Sequence, residues 1–259
     1  MADNHGKFCW YELMTTDVAA AKAFYTELVG WGAQPVPMAT GEYTMWIPPG
    51  TTDGIGGVTV LPEQAKAMGA PPYWQVYVAV DDVEASAKLA TELGAKTYVP
   101  PVDIPNYGRF AVLGDPWGAV FALFRGTTPD VQLADPGEAL GKAGWHELVT
   151  DDVEAAVQFY GKLFGWTKTD AMDMGPEMGT YQMFGKGKVS YGGIFKRPPM
   201  VPSGAWVTYF NVPDADAAAA ALAGKGGKMM NGPHDVPGGG RAGVALDPQG
   251  AAFGILSKK

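Results

Sequence analysis

The sequence predicts an α+β chain of tandem βαβββ modules, four in all, paired into two copies. Three observations predict it. The stretch CWYELMTTDV (9–18) returns as GWHELVTDDV (144–153). The match runs on without a change of spacing: Trp10, Glu12, Thr15, Asp17, Val18, Phe24, Tyr25, Leu28, Gly30 and Trp31 answer Trp145, Glu147, Thr150, Asp152, Val153, Phe159, Tyr160, Leu163, Gly165 and Trp166. Later segments repeat in the same order, WQVYVAVDDV (74–83) as WVTYFNVPDA (206–215), and residues 103–123 as residues 235–255. A fainter repeat lies inside each copy, where Asp17-Val18 followed by Thr26-Glu27-Leu28 matches Asp82-Val83 followed by Thr91-Glu92-Leu93. The copies span residues 7–126 and 143–257. The expected domains are 1–126 and 143–259, two modules each, joined by a segment of linker composition over 127–142.

Each module opens with an apolar strand and turns at an Asp into a helix. In the first helix Val18, Ala21, Tyr25 and Leu28 fall on one face, and Val153, Ala156, Tyr160 and Leu163 do so in the third. Asp17 or Thr16 is positioned to cap the first helix. Short β-branched and aromatic runs follow the helices, among them YTMWI, GGVTV, TYVP, RFAVLG and AVFALF, punctuated by glycine and proline. DPWG and DPQG fit type I turns at hairpin corners. A helix covers one face of such a sheet. The other face needs a second sheet or lines a cavity, and a function is to be sought there.

Nearly half of the 259 residues (47%) are hydrophobic and 18% are charged, a composition that buries a core without staples. The single cysteine, Cys9, excludes an internal disulfide framework and fits a reducing compartment, so the expected location is cytoplasmic. MADNHGKF lacks the apolar core of a signal peptide, and no later run reaches membrane-spanning length. The net charge of −8 comes without a basic stripe to meet phosphates, which argues against nucleic acid as a partner.

An Asp seven residues before Phe24-Tyr25, then Leu-x-Gly-Trp, resembles the opening of the vicinal oxygen chelate superfamily, which includes glyoxalase I, extradiol dioxygenases and bleomycin-resistance proteins. Tyr107-Gly108-Arg109 followed by Asp115-Pro116-x-Gly118 resembles its last hairpin. The resemblance covers both copies and looks most like the two-domain glyoxalase-like proteins of bacteria. It implies paired modules enclosing cavities. It also implies a divalent metal held by His or Gln on the first strand of a module, seven residues before the Asp, and by Glu near the end of the last strand.

Those positions hold other residues here. The first-strand positions carry Trp10, Gln75, Trp145 and Val207. The last-strand positions fall near Gly57 and Gly193, within about a residue, and at Ala122 and Gly254. Only Gln75 has a lone pair to offer a cation, because indole nitrogen is a donor only. The expectation is that the scaffold is kept, that the metal site is absent and that no cofactor is bound.

Strand alternation sets Glu12 on the face of Trp10 and Glu147 on the face of Trp145, and the matching positions of the other modules are Tyr77 and Tyr209. Glu12 and Glu147 are therefore the candidate catalytic groups, with pKa values expected to rise on an aromatic wall. The alternative is that each satisfies a backbone amide or an arginine. Trp10, Gln75, Tyr77, Arg109, Trp145, Tyr209 and Arg241 are the candidate substrate-binding residues. Each arginine could clamp an anion or bridge to a scaffold carboxylate. Alternation turns Cys9 away from the inferred cavity and His146 towards the helix side. His5 falls in an inert tail and His234 in a loop, NGPHDVPGGG.

Three functions remain open. The first is a metal-independent enzyme of lyase type, glyoxalase-like, working by acid/base chemistry on a small carbonyl or aromatic compound. The second is a protein that binds or sequesters a small molecule, as bleomycin-resistance proteins do. The third is a metal-dependent lyase or dioxygenase with ligands at other positions. The fused copies supply within one chain the pairing that other members obtain by dimerising. A monomer is therefore expected, with a homodimer as the alternative.

Overall fold

In the computed structural model, residues 4–38, 41–127 and 137–258 are described. Four βαβββ modules follow one another. The first has β1 (Phe8–Thr15), α1 (Val18–Val29), β2 (Gly32–Met38), β3 (Gly41–Ile47) and β4 (Gly56–Val60). After the short α2 (Glu63–Ala67) comes the second, with β5 (Tyr73–Ala79), α3 (Val83–Glu92), β6 (Lys96–Ile104), β7 (Gly108–Gly114) and β8 (Val120–Gly126). The third has β9 (Ala143–Thr150), α4 (Val153–Phe164), β10 (Thr167–Asp173), β11 (Thr180–Lys186) and β12 (Val189–Lys196). The fourth has β13 (Ala205–Asn211), α5 (Ala215–Leu222), β14 (Lys228–Val236), β15 (Gly240–Leu246) and β16 (Ala252–Lys258). Most of the segment expected as a linker, residues 128–136, lies outside the described residues.

An Asp opens each of the four main helices. Oδ1 of Asp17, Asp82, Asp152 and Asp214 accepts from the amide of Ala20, Ala85, Ala155 and Ala217, satisfying one of the orphan donors of the first turn. Between Asp17 and Thr16, Asp17 is the cap. Strand β14 takes in Asn231–Val236, where the sequence reads as a loop. Register shifts between Met229 and Asn231 and between Asn231 and His234 absorb the Gly-Pro step within the strand.

The strands form two eight-stranded mixed sheets, ordered β2-β3-β4-β1-β5-β8-β7-β6 and β10-β11-β12-β9-β13-β16-β15-β14. In every module the first strand pairs in parallel with the last, and the rest are antiparallel. Compactness divides the chain differently from the repeat. One unit comprises Met1–Trp10, Val76–Asp135 and His146–Trp206, chiefly the second and third modules. The other comprises Tyr11–Gln75, Pro136–Trp145 and Val207–Lys259, chiefly the first and fourth. We call them the inner and the outer unit. Helix α3 packs on α4 in the inner unit and α1 on α5 in the outer.

A buried polar knot holds each unit. In the inner unit Asp115 Oδ1 accepts from the amides of Trp117 and Ala119 within the DPWG corner, at 3.0 and 2.8 Å. Its Oδ2 accepts from the Tyr160 hydroxyl at 2.9 Å, and that hydroxyl accepts from Trp206 Nε1 at 3.2 Å. The outer unit repeats the arrangement with Asp247, Gln249, Ala251, Tyr25 and Trp74. Burial pushes both carboxyls up, against the amide and phenol hydrogen bonds that pull them down. Aromatic rings surround each phenol, with Trp166, Phe164 and Phe121 about Tyr160, and Trp31, Trp74 and Phe253 about Tyr25. The repeated Phe-Tyr and Asp-Pro-x-Gly motifs are thus two ends of one structural link, made between copies.

Candidate functional site

The parallel ladders set Glu12 abreast of Gly57, Tyr77 of Ala122, Glu147 of Gly193 and Tyr209 of Gly254. Residues abreast in a ladder share a face of the sheet. The four small residues are therefore equivalent, and each neighbours one of the acidic or phenolic side chains singled out from the sequence.

In the inner unit Glu147 is half-buried on β9. The hydroxyl of Tyr181, from β11, donates to Glu147 Oε1 at 2.9 Å. The Tyr181 ring lies directly on Gly193, where a Cβ would fall inside the phenol, so that close approach requires glycine. Phe195 stacks against Tyr181 at 5.5 Å between centroids. Elsewhere in this unit Trp10, Phe110, Val112 and Phe124 pack against a buried cluster of Cys9, Tyr77, Ala79 and Ala122. Cys9 is packed in that core. Its thiol donates to the Tyr77 carbonyl at 3.5 Å, and burial pushes its pKa up, the opposite of what a nucleophile needs.

In the outer unit Glu12 is half-buried, and the Tyr43 ring covers Gly57 as Tyr181 covers Gly193. Burial, and then the charge of Glu12, push the Tyr73 phenol up, which puts the carboxylate within electrostatic reach of that hydroxyl. Gln75 is buried and Trp145 half-buried. Tyr209 is buried with its ring on Gly254. Tyr43 and Tyr181 escaped the sequence reading. Their signal was the shared tyrosine of GEYTMW and GTYQMF, two residues after a glycine in each.

Both arginines meet scaffold carboxylates. Arg109 Nε donates to Glu84 at 2.5 Å and Nη1 to Asp103 at 2.7 Å, tying β7 to α3 and β6. Arg241 donates from Nε and Nη2 to the two oxygens of Asp216 at 2.9 and 2.6 Å, the bidentate geometry that suits guanidinium and carboxylate. His5, expected to be inert, meets the Leu163 carbonyl at 3.1 Å, so the tail containing it is tied down. His234 is exposed on β14 and meets Asn231 Oδ1 at 2.8 Å.

His146 is fully buried, stacked on Phe8 at 3.7 Å, with Nδ1 on the Tyr191 carbonyl at 2.9 Å. Burial lowers its pKa to about 4 despite that hydrogen bond. The folded state therefore holds imidazole neutral where the unfolded chain protonates it. Stability from this residue is present above the unfolded value of 6.5 and is lost as pH falls towards 4. The expected loss is about 3 kcal/mol. Urea denaturation of wild type and His146→Phe at pH 7.5 and 4.5 checks it: wild type should lose more than the variant. Equal losses would refute the assignment, and shifts from Asp115 and Asp247 are common to both proteins.

The residues at the inherited ligand positions do not fit a divalent ion. Trp10 and Trp145 have no lone pair to give, and aromatic rings fill the space beside Gly57 and Gly193 that a ligating carboxylate would use. Among the described residues no three His, Cys, Asp or Glu side chains come together to hold a metal. No helix among them is long and apolar enough to cross a membrane.

Tandem βαβββ modules with parallel outer pairings, and polar side chains on the sheet face beside the last strand, define a scaffold of the vicinal oxygen chelate class. The model of the Glyoxalase/Bleomycin resistance protein/Dioxygenase superfamily matches residues 7–123 and 142–255, and the chain belongs to that superfamily. It is 37% identical over 250 residues to "Putative glyoxylase CFP32" of Mycobacterium bovis, covering 95% of this chain and 93% of the relative. It is 33% identical over 275 residues to the anthracycline biosynthesis protein DnrV of Streptomyces peucetius, covering 97% and 93%. Among solved structures, the Mn(II)-bound glyoxalase from Novosphingobium aromaticivorans superposes with a TM-score of 0.64 at 17% identity, covering 98% of this chain and 83% of that one. An extradiol ring-cleaving dioxygenase from B. fuscum does so with a TM-score of 0.66 at 18% identity, covering 99% and 72%.

Proposed function

We propose that the chain is a glyoxalase-like enzyme that moves a proton on a small carbonyl or aromatic compound, with Glu147 and Glu12 as the acid/base groups. The observation that carries this reading is the Tyr181–Glu147 pair, seated on the glycine that stands where the family keeps a ligand. The phenol engages Oε1 and orients the carboxylate. A carboxylate so held can take a proton from a carbon next to a carbonyl and return it to the neighbouring carbon, which balances without a redox partner. In this reading the chain acts as a monomer in a reducing compartment, and a ligand meets Trp10 and Tyr77 in the inner unit, or Gln75, Trp145 and Tyr209 in the outer unit.

A second reading, binding without turnover, is favoured by the half-buried aromatic side chains packed against the Tyr77 cluster. The test is metal content and turnover together. After incubation with nickel, zinc, iron(II) and manganese and removal of free ion, the protein should retain far less than one equivalent. It should still convert a member of a panel of small α-oxo and α-hydroxy carbonyl compounds. One retained equivalent per copy would restore the metal-dependent lyase or dioxygenase reading. Binding without conversion would favour the second.

A further inference from the structure

A cavity of about 460 Å³ opens in the inner unit at the start of α4, a volume in the range that holds a small molecule. Asp152 and Val153 border it from the helix, Met178 from the turn before β11, and Gln182 and Lys196 from β11 and β12. Gln182 and Lys196 follow Tyr181 and Phe195 by one residue. Alternation puts them on the face of the sheet against which α4 packs, the other side from the Tyr181–Glu147 pair.

Most of the charges around the cavity are answered within the protein. Asp151 pairs with Arg197 at 2.7 Å and Glu154 with Lys168 at 2.6 Å. That leaves Asp152 and Lys196, one charge of each sign, and neither has an ion pair among the described residues. Asp152 spends Oδ1 on the Ala155 amide as the helix cap. Gln182 is only 8% exposed, and its Nε2 donates to the carbonyls of Asp170 and Met183 at 2.7 and 3.0 Å. Two acceptors on that end fix it as the nitrogen. The other end, Oε1, is an acceptor for which no described residue supplies a donor, although side chains this buried ordinarily have their hydrogen bonds made.

The repeat supplies an internal comparison. Lys196 lies abreast of Thr150 as Val60 lies abreast of Thr15, and Gln182 abreast of Ile194 as Thr44 abreast of Val58. Glu154 and Lys168 stand where the first copy has Ala19 and Ala33. The first copy builds the same strands and helix with small or apolar residues at these four positions, so the fold does not require the polar set. Only the cap, Asp17 and Asp152, is common to both.

We infer that the third module holds a binding place for a small zwitterion of the amino-acid type. Its ammonium is received by Gln182 Oε1 and the Asp152 carboxylate, and its carboxylate by Lys196 Nζ. An ammonium brings three donors and no acceptor, which is what an open amide oxygen beside a carboxylate takes. A ligand with a single charge leaves Asp152 or Lys196 unanswered, and inorganic phosphate has no cation to offer the two acceptors. Val153 and Met178, both half-buried, give the rest of the ligand apolar surface to cover. The site lies on the opposite sheet face from Glu147 and does not rest on the proposed function.

Calorimetric titration of the full chain with glycine, L-leucine, γ-aminobutyrate and ε-aminocaproate tests it, with n-butylamine and butyrate as controls that carry one charge each. At least one zwitterion should bind wild type at one equivalent per chain, and both controls at least about tenfold more weakly. Asp152→Asn removes the charge and keeps a good helix cap, so the fold should be intact. Lys196→Val installs the residue of the first copy at an exposed position. Each should weaken binding at least about tenfold. Glu147→Gln should bind as wild type does, which reads the site apart from the acid/base chemistry. No saturable binding by any zwitterion of the series, a control that binds as tightly, unchanged affinity in either cavity variant, or loss of binding in Glu147→Gln would overturn the inference.

Discussion

Asp115→Ala should destabilise the protein by about 3–5 kcal/mol, the largest stability effect expected of any single substitution named here. The carboxylate is 5% exposed and accepts from two backbone amides and from the Tyr160 hydroxyl. Removing it leaves three donors in a site with little access for water, and each unsatisfied buried donor costs about 1–3 kcal/mol. Tyr160→Phe leaves the two amides their acceptor but takes one from the buried Trp206 Nε1, so it should cost less, about 1–3 kcal/mol. Urea denaturation of both single variants and the double variant measures the coupling. A cost below about 1 kcal/mol for Asp115→Ala would mean that water replaces the carboxylate and that the knot is not what holds the inner unit.

In a Glu12→Gln background, which silences the other copy, Glu147→Gln should lower kcat/KM by about 10²–10⁴-fold on whichever compound of the carbonyl panel is converted, the range for loss of a positioned general base. The amide is nearly isosteric and can still accept from Tyr181, so folding should be unaffected and the loss should fall on kcat. Tyr181→Phe should cost about tenfold, because the carboxylate remains but loses its anchor. Glu12→Gln tests the other copy in the same assay. A Glu147→Gln variant with full activity, beside a Glu12→Gln variant without any, would put the chemistry in the first copy alone. Full activity in the double variant would remove acid/base catalysis by these residues.

The repeat, the helix caps and the hairpin corners were legible because they are local. Asp17 announces its helix within a few residues, and the Asp-Pro-x-Gly corner needs only its own backbone. The partner of that corner was not legible. Tyr160 lies 45 residues beyond Asp115, and Asp247 lies 222 residues beyond Tyr25. Both motifs repeat in the sequence, but nothing in their spacing says that they meet across copies.

The candidate site divides in the same way. Alternation along one strand is a local rule, and from it came the expectation that Glu12 shares a face with Trp10. Laying Tyr181 on Gly193 needed the antiparallel register of β11 against β12, which slips between Phe184 and Gly185 and so cannot be counted off the chain. Arg109 and Arg241 carried two readings from the sequence, and only the fold shows Glu84, Asp103 and Asp216 within reach of them.

The crossed make-up of the units has a consequence for the order in which a ribosome can hand the protein over. The inner unit draws on consecutive modules, so its knot can tie once Trp206 has emerged. The outer unit joins the first module to the fourth, with the second and third between them in the sequence. Tyr25 and the aromatic face of α1 must wait 222 residues for Asp247, on the order of ten seconds or more at about 5–20 residues per second. The protein is therefore nested in time as well as in sequence. The second and third modules can close on each other first, while α1 holds a surface whose partner has not yet been made.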